Sequence, residues 1–276
     1  MADSGRKSFL ALITGAPIGC LGGLIGLGGA EFRLPVLVGI FRYTARQAVA
    51  FNLAVSLITL LSSLIFRLPK IAVSDLVQDI PIILAFIAGG MIGAYTGANY
   101  SKHLSERALE KVILVLLVGI GVLLLVESFH PIVSGGIPMK LPAAIIVGVL
   151  FGLCIGIVSS LLGVAGGELI IPTLILVFGL DIKIAGTASI LISLPTVLIG
   201  IIRHGSNGAY KQKSELRDLV LPMGIGSIIG SFIGGMLIGY VSSSWLKLVL
   251  GAILIASAVK MFKKALKKEA AAVTEA

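Results

Sequence analysis

Two glycine-rich interruptions, 137 residues apart, constrain this chain more than any other feature. Gly19–Pro35 reads GCLGGLIGLGGAEFRLP and Gly156–Pro172 reads GIVSSLLGVAGGELIIP. Each breaks an apolar run and leads into a carboxylate and a proline, with Glu31 matching Glu168 and Pro35 matching Pro172. At the same offset Gly15 matches Gly152, Gly26 matches Gly163, Gly29 matches Gly166, Ala48 matches Ala185, Ser56 matches Ser193 and Thr59 matches Thr196. A gap-free correspondence over roughly 45 residues indicates duplication rather than shared composition.

The surroundings of these breaks exclude a soluble fold. The chain has 276 residues, 57% hydrophobic and 13% charged, with mean hydropathy +1.09; a soluble domain carries about 25% charged residues. Apolar runs of about 20 residues recur along it, the length that crosses a bilayer as a helix. The expected fold is an all-α integral membrane protein of two homologous repeats. Residues 1–127 form the first transmembrane repeat, 128–141 a linker, 142–264 the second repeat and 265–276 a basic, polar C-terminal tail. Within the first repeat the apolar segments are Phe9–Leu27, a short Phe32–Phe41, Gln47–Phe66, Ile80–Tyr100 and Leu109–Val126. The second repeats that order as Pro142–Val164, a short Leu169–Leu180, Ala185–Ile202, Leu219–Tyr240 and Trp245–Phe262, with Arg67–Asp79 and Arg203–Arg217 as matched loops. At 1.5 Å per residue the short segments cover only about half the hydrocarbon core.

If each break is a re-entrant hairpin, a repeat makes three true crossings and the second repeat is inverted. That threading gathers more Lys and Arg on one face than a parallel one does, so the positive-inside rule favours it, with both termini cytoplasmic and the chain in the inner cell membrane. The length of the first segment, enough to cross fully, argues the other way. The net charge of +9 is a matter of helix ends and not of nucleic acid, because the basic residues sit where they anchor spans. Cys20 and Cys154 do not match in the repeat and read as small buried packing residues, without disulfide or metal spacing. The N-terminus has a basic Arg6-Lys7 pair but lacks a convincing cleavage site, so it reads as part of the first repeat.

Broken backbone at membrane depth is tolerated where protein or a water-filled cavity covers its polar groups. A helix that begins there presents free N–H groups and the positive end of its dipole, an anion site. Candidate substrate contacts are therefore the backbone at Gly28, Gly29 and Ala30 and at Ala165, Gly166 and Gly167, with Asn52, Thr187 and Ser189 as side-chain donors near the next helix starts. Close packing is the plainer reading of the spacing Gly15–Gly19 and Gly22–Gly26. A Glu in the membrane costs at least a few kcal/mol and marks function by default, so Glu31 and Glu168 are candidate proton carriers; capping their own helix starts is the plainer role. Arg33 has no counterpart, position 170 being Ile, and is either the cation facing an anionic substrate or the partner of a Glu. The three histidines, His103, His130 and His204, read as surface residues, none with metal-ligand spacing. No P-loop, GxSxG elbow or HExxH is present, so no cofactor, metal or catalytic role is expected.

With these residues in hand, the chain resembles the sulfite exporter TauE/SafE family. The resemblance rests on GVAGGELIIP at Gly163–Pro172, AGTAS at Ala185–Ser189 and GLGGAEFRLP at Gly26–Pro35. It departs at Ala48–Asn52, where AVAFN stands, and that puts any particular substrate in question. It implies an ion-gradient-driven carrier of small, typically sulfur-containing anions such as sulfite or sulfonates; Glu31 and Glu168 make protons the expected coupling ion. The alternatives are a cation or metal carrier using the two Glu residues, a membrane scaffold that transports nothing, and an intramembrane enzyme, for which no nucleophile–base constellation is seen.

Overall fold

A computed structural model describes residues 2–70, 76–100 and 136–238, with scattered positions beyond them. The described residues are helical, without a strand among them. In order they form α1 (Ala2–Ile25), α2 (Ala30–Gly39), α3 (Ala45–Arg67), α4 (Ile80–Tyr100), α5 (Leu141–Leu162), α6 (Gly167–Leu176) and α7 (Ile182–Ser206). The last, α8 (Lys213–Leu237), includes a π-helical stretch at Leu216–Val220. Six of these helices are long and apolar enough to cross a membrane; α2 and α6 have ten residues each. The expected last segments of each half, Leu109–Val126 and Trp245–Phe262, and the C-terminal tail lie mostly outside the described residues, as does much of the expected linker.

Local sequence places the boundaries, and it does so at the 137 offset. Thr44 starts α3 with a capping box: its hydroxyl accepts from Gln47 N at 3.3 Å while the Gln47 amide oxygen accepts from Thr44 N at 3.3 Å. Its counterpart Asp181 starts α7 by accepting from Lys183 N at 2.8 Å. Both breaks use left-handed glycines at matched positions, φ 95° at Gly26 and 66° at Gly163, then 66° at Gly29 and 82° at Gly166. A side chain with Cβ is strained there, so glycine is what lets the chain reverse between two helices.

Helix directions follow from paired contacts. Ser227 and Ser231 on α8 donate to the carbonyls of Gly15 and Gly19 on α1, each at 3.3 Å, so the two helices run parallel. Ser63 donates to Ser231 at 3.2 Å and Phe66 stacks edge-on to Phe232 at 5.2 Å, which sets α3 parallel to them. In the same way α5 follows α4, with Gly89 close to Leu153 and Gly93 close to Ile157. Helix α7 follows α4 as well, with Gly90 against Thr196 and Asn99 accepting from Arg203 at 2.7 Å. Between the sets the direction reverses, since Arg67 near the end of α3 donates to Thr187 near the start of α7. Helices α1, α3 and α8 thus run one way and α4, α5 and α7 the other.

The broken pairs enter from opposite faces. Lys7 near the start of α1 and Tyr43 just after α2 both reach Glu215 at the start of α8, so α1–α2 enters and leaves on one face. Ile137 N, before α5, donates to Val177 O, after α6, at 2.8 Å, and Phe178 packs on Phe86 near the start of α4, so α5–α6 does the same on the other. Outside the bundle α4, α5, α7 and α8 expose Ile92, Ile146, Leu150, Ile202 and Ile229, the belt of apolar side chains that lipid requires.

Several expectations need correction. The loop at Arg67–Asp79 begins later, because Arg67 is the last residue of α3 and is 1% exposed. The basic loop at Arg203–Arg217 shrinks to residues 207–212, because α7 continues to Ser206 and α8 begins at Lys213. His204 is buried rather than on the surface. Cys154 is exposed on α5 and Cys20 only half-buried; both are free thiols.

Candidate functional site

The two breaks meet in the middle of the molecule. Gly28 lies against Ala165, and Leu27 against Gly167, so the starts of α2 and α6 come together. Gly28 also packs beside Ser56, the middle residue of α3. Each tip is tied to the long helix of the opposite half. Asn52 donates its amide to Gly163 O at 2.8 Å and to Ala30 O at 2.8 Å. Its counterpart Ser189 donates to Gly26 O at 3.3 Å. The sequence-selected Asn52 and Ser189 therefore do lie at the glycine tips, where they hold backbone carbonyls. Thr187 sits further out, accepting from Arg67 Nε at 3.3 Å and donating to Lys183 O at 3.2 Å.

Glu31 and Glu168 open α2 and α6 and are 0% and 3% exposed. They lie within electrostatic reach of each other. Both oxygens of Glu31, and Oε2 of Glu168, have no hydrogen-bond partner among the described residues. The N-cap positions are Gly29 and Gly166, which have no side chain, so the first-turn carboxylates of Glu31 and Glu168 are the acidic groups at these helix starts. The matched prolines add to this polarity. Pro35 and Pro172 lack an N–H, so neither helix can close its bond to the carbonyl of Glu31 or Glu168, four residues earlier.

Arg33 is wholly buried and forms no ion pair with either Glu within 4.0 Å among the described residues. Its guanidinium points instead into a row of oxygens on α3. Nη1 donates to Asn52 O at 3.4 Å, Asn52 Oδ1 at 3.1 Å and Ser56 Oγ at 3.0 Å. Nη2 donates to Thr59 Oγ1 at 3.0 Å and to Gly28 O at 3.1 Å. The planar fork of arginine suits such a divergent set of acceptors, and it fastens α2 and the tip to α3. Ser56 and Thr59 were visible in the repeat, but nothing in their spacing tied them to Arg33.

Sequence reading missed one further pair. Arg67 donates to Gly23 O and Leu24 O, both at 3.0 Å, and to Lys183 O at 3.2 Å, binding the open carbonyl end of α1 to the start of α7. The residue 137 positions later is His204, whose Nε2 lies 3.2 Å from Ser160 O, the counterpart of Gly23 O. The signal was present as an offset and hidden by the change of residue type. Among the described residues no three His, Cys, Asp or Glu gather as a metal site.

Comparison with known proteins adds the family context. A family model described as Sulfite exporter TauE/SafE matches residues 10–261. The probable membrane transporter protein YunE of Bacillus subtilis is 24% identical over 222 residues, 73% of this chain and 80% of the relative. A probable membrane transporter protein of Methanocaldococcus jannaschii is 32% identical over 131 residues, so that match spans 45% of this chain and 46% of the relative. No solved structure matches.

Proposed function

The chain belongs to the sulfite exporter TauE/SafE family of membrane transporters, and from that premise we propose that it carries a small anion, sulfur-containing by the family's name, together with protons. The observation that carries this reading is the meeting of two uncapped helix starts beside two buried carboxylates with unpartnered oxygens. The N–H groups at Gly28, Gly29 and Ala30 and at Ala165, Gly166 and Gly167 supply the donors, with the positive ends of α2 and α6 behind them. Transporters built from two repeats place half-helix starts at anionic substrates in this way.

The carboxylates supply the coupling. An anion seated between the helix starts lies close to Glu31 and Glu168, and like charges at such range oppose one another. Anion and protons therefore bind with positive linkage, and each raises the affinity for the other by the same factor. Asn52 and Ser189 hold the tips at the site, and Thr187 acts through Arg67. The basic residues Arg42, Lys211 and Lys213 support a cytoplasmic assignment for their face, with the N-terminus inside in this reading.

The test is flux in proteoliposomes. Glu168→Gln keeps the shape but cannot release a proton, so the variant folds and its uptake of sulfite or a sulfonate no longer responds to an imposed pH gradient. Unchanged pH dependence would remove Glu168 from coupling.

A further inference from the structure

The two short helices share a backbone design but are held in place differently. Helix α2 is fastened to α3. Arg33 donates to Asn52 O, Asn52 Oδ1, Ser56 Oγ and Thr59 Oγ1 on that helix, and Asn52 donates back to Ala30 O at 2.8 Å. At the 137 offset the arginine becomes Ile170, and Asn52 becomes Ser189, whose hydroxyl is given to Gly26 O in the other half. Among the described residues no side-chain hydrogen bond joins α6 to another helix. Thr173 bonds Leu169 O within α6 at 2.7 Å. Ser193 Oγ on α7, the counterpart of Ser56 Oγ, is buried without a partner.

The freedom has a defined starting point. The turn that ends α5 is tied, because Asn52 donates to Gly163 O at 2.8 Å and Ser159 to Val164 O at 2.5 Å. Beyond it comes Gly166, left-handed at φ 82°, and then α6. Space lies beside this helix as well. A cavity of about 10 Å³ is lined chiefly by the apolar side chains of Phe86, Ile155, Ala165, Ile170 and Ile192. Atoms facing such a void lack packing partners on that side, and Ile170 has room to repack into it. In the first half the residues matching Ala165 and Thr196 of that lining are Gly28 and Thr59, and Arg33 bonds both, at 3.1 and 3.0 Å.

We propose that α6 is the moving element of this carrier: it pivots at Gly166 against α7, while α2 stays fixed to α3. Directional bonds hold α2 in one register, whereas α6 is kept by apolar contacts that can be exchanged for others. Carriers built from two repeats alternate by moving one part against the other around the site, and the unequal fastening decides which part moves. Glu168 travels with α6, and Glu31 stays. The inference rests on the chain being a carrier, whatever its cargo.

Hydrogen–deuterium exchange of the full chain in detergent tests it, read by mass spectrometry on peptides covering residues 30–39 and 167–176 and corrected for intrinsic rates. The two helices are equally long and each carries its proline at the matched place, so their protection is directly comparable. We expect α6 to exchange roughly tenfold or more faster than α2, the factor that one charge-assisted hydrogen bond contributes to a local opening equilibrium. Arg33→Ile, which gives α2 the residue that α6 carries, should raise the exchange of α2 to the α6 level and leave α6 unchanged. Equal protection of the two helices in the wild type overturns the proposal. So does a folded, monodisperse Arg33→Ile protein in which α2 keeps its protection. No substrate or pH gradient enters the measurement, so failure of the anion reading and failure of this one are separate outcomes.

Discussion

Removing the Arg33 side chain is the sharpest perturbation of the site. The guanidinium is 0% exposed and makes five hydrogen bonds to Asn52, Ser56, Thr59 and Gly28. Arg33→Ala strands these acceptors away from water, and each buried polar group left unsatisfied costs about 1–3 kcal/mol. Thr59 is spared in part, since its hydroxyl also bonds Val55 O at 2.9 Å. Two or so such stranded acceptors put the expected loss at about 3–5 kcal/mol. In a chain of this size 1 kcal/mol moves the midpoint by roughly 2–4 °C, so unfolding in detergent falls by roughly 6–20 °C. Arg33→Ile, copied from position 170, fills more of the space but strands the same oxygens, so it falls between Ala and the wild type. Anion affinity, measured on the same folded samples, should change little, because both terminal nitrogens already face α3. An Arg33→Ala protein that melts within 2 °C of the wild type but no longer binds the anion would refute this reasoning and make Arg33 the substrate's counter-charge.

Three other outcomes follow from the fold. Gly93→Leu would press a side chain into the backbone of α5 near Leu153 and Ile157, whereas nothing lies within 4 Å of a Cβ at Gly5; the first should abolish a monodisperse elution peak and Gly5→Leu should leave it. Single cysteines at Arg42 and Lys211, in a variant lacking Cys20 and Cys154, should react with a membrane-impermeant thiol reagent from one side of sealed vesicles, and a cysteine at Asp181 from the other; labelling of all three from one side would reject the threading. The Tyr43 phenol, hydrogen-bonded to Glu215, is pushed up to about 12, first by burial and then by that bond. A raised value means the fold favours the protonated phenol, so its contribution to stability is complete below pH 10 and is lost as pH rises through about 12. Tyr43→Phe should flatten the alkaline arm of a stability–pH profile over that interval; equal slopes for both proteins would exclude the effect.

The sequence by itself determined the elements and the repeat, because those are written in local terms. Apolar length fixes which segments cross, Thr44 and Asp181 fix where α3 and α7 begin, and glycine at Gly26, Gly29, Gly163 and Gly166 permits the left-handed turns that end α1 and α5. The matched Glu31 and Glu168 stand out for the same reason, since a carboxylate in an apolar run is conspicuous without any neighbour. What only the tertiary structure decided is who faces whom. The parallel seams of α1 with α8 and of α4 with α5 join residues of different halves, more than 200 positions apart for Ser227 and Gly15. Arg33 is turned from Glu31 toward α3 because four oxygens of that helix converge there with Gly28 O. The burial of Arg67 and His204 is equally non-local: each bonds a carbonyl at the open end of a broken helix some 44 positions away. Periodicity and spacing report only on a residue's own helix, whereas the partner of a buried polar group is set by which helix the fold brings against it, and that depends on the packing of the whole bundle.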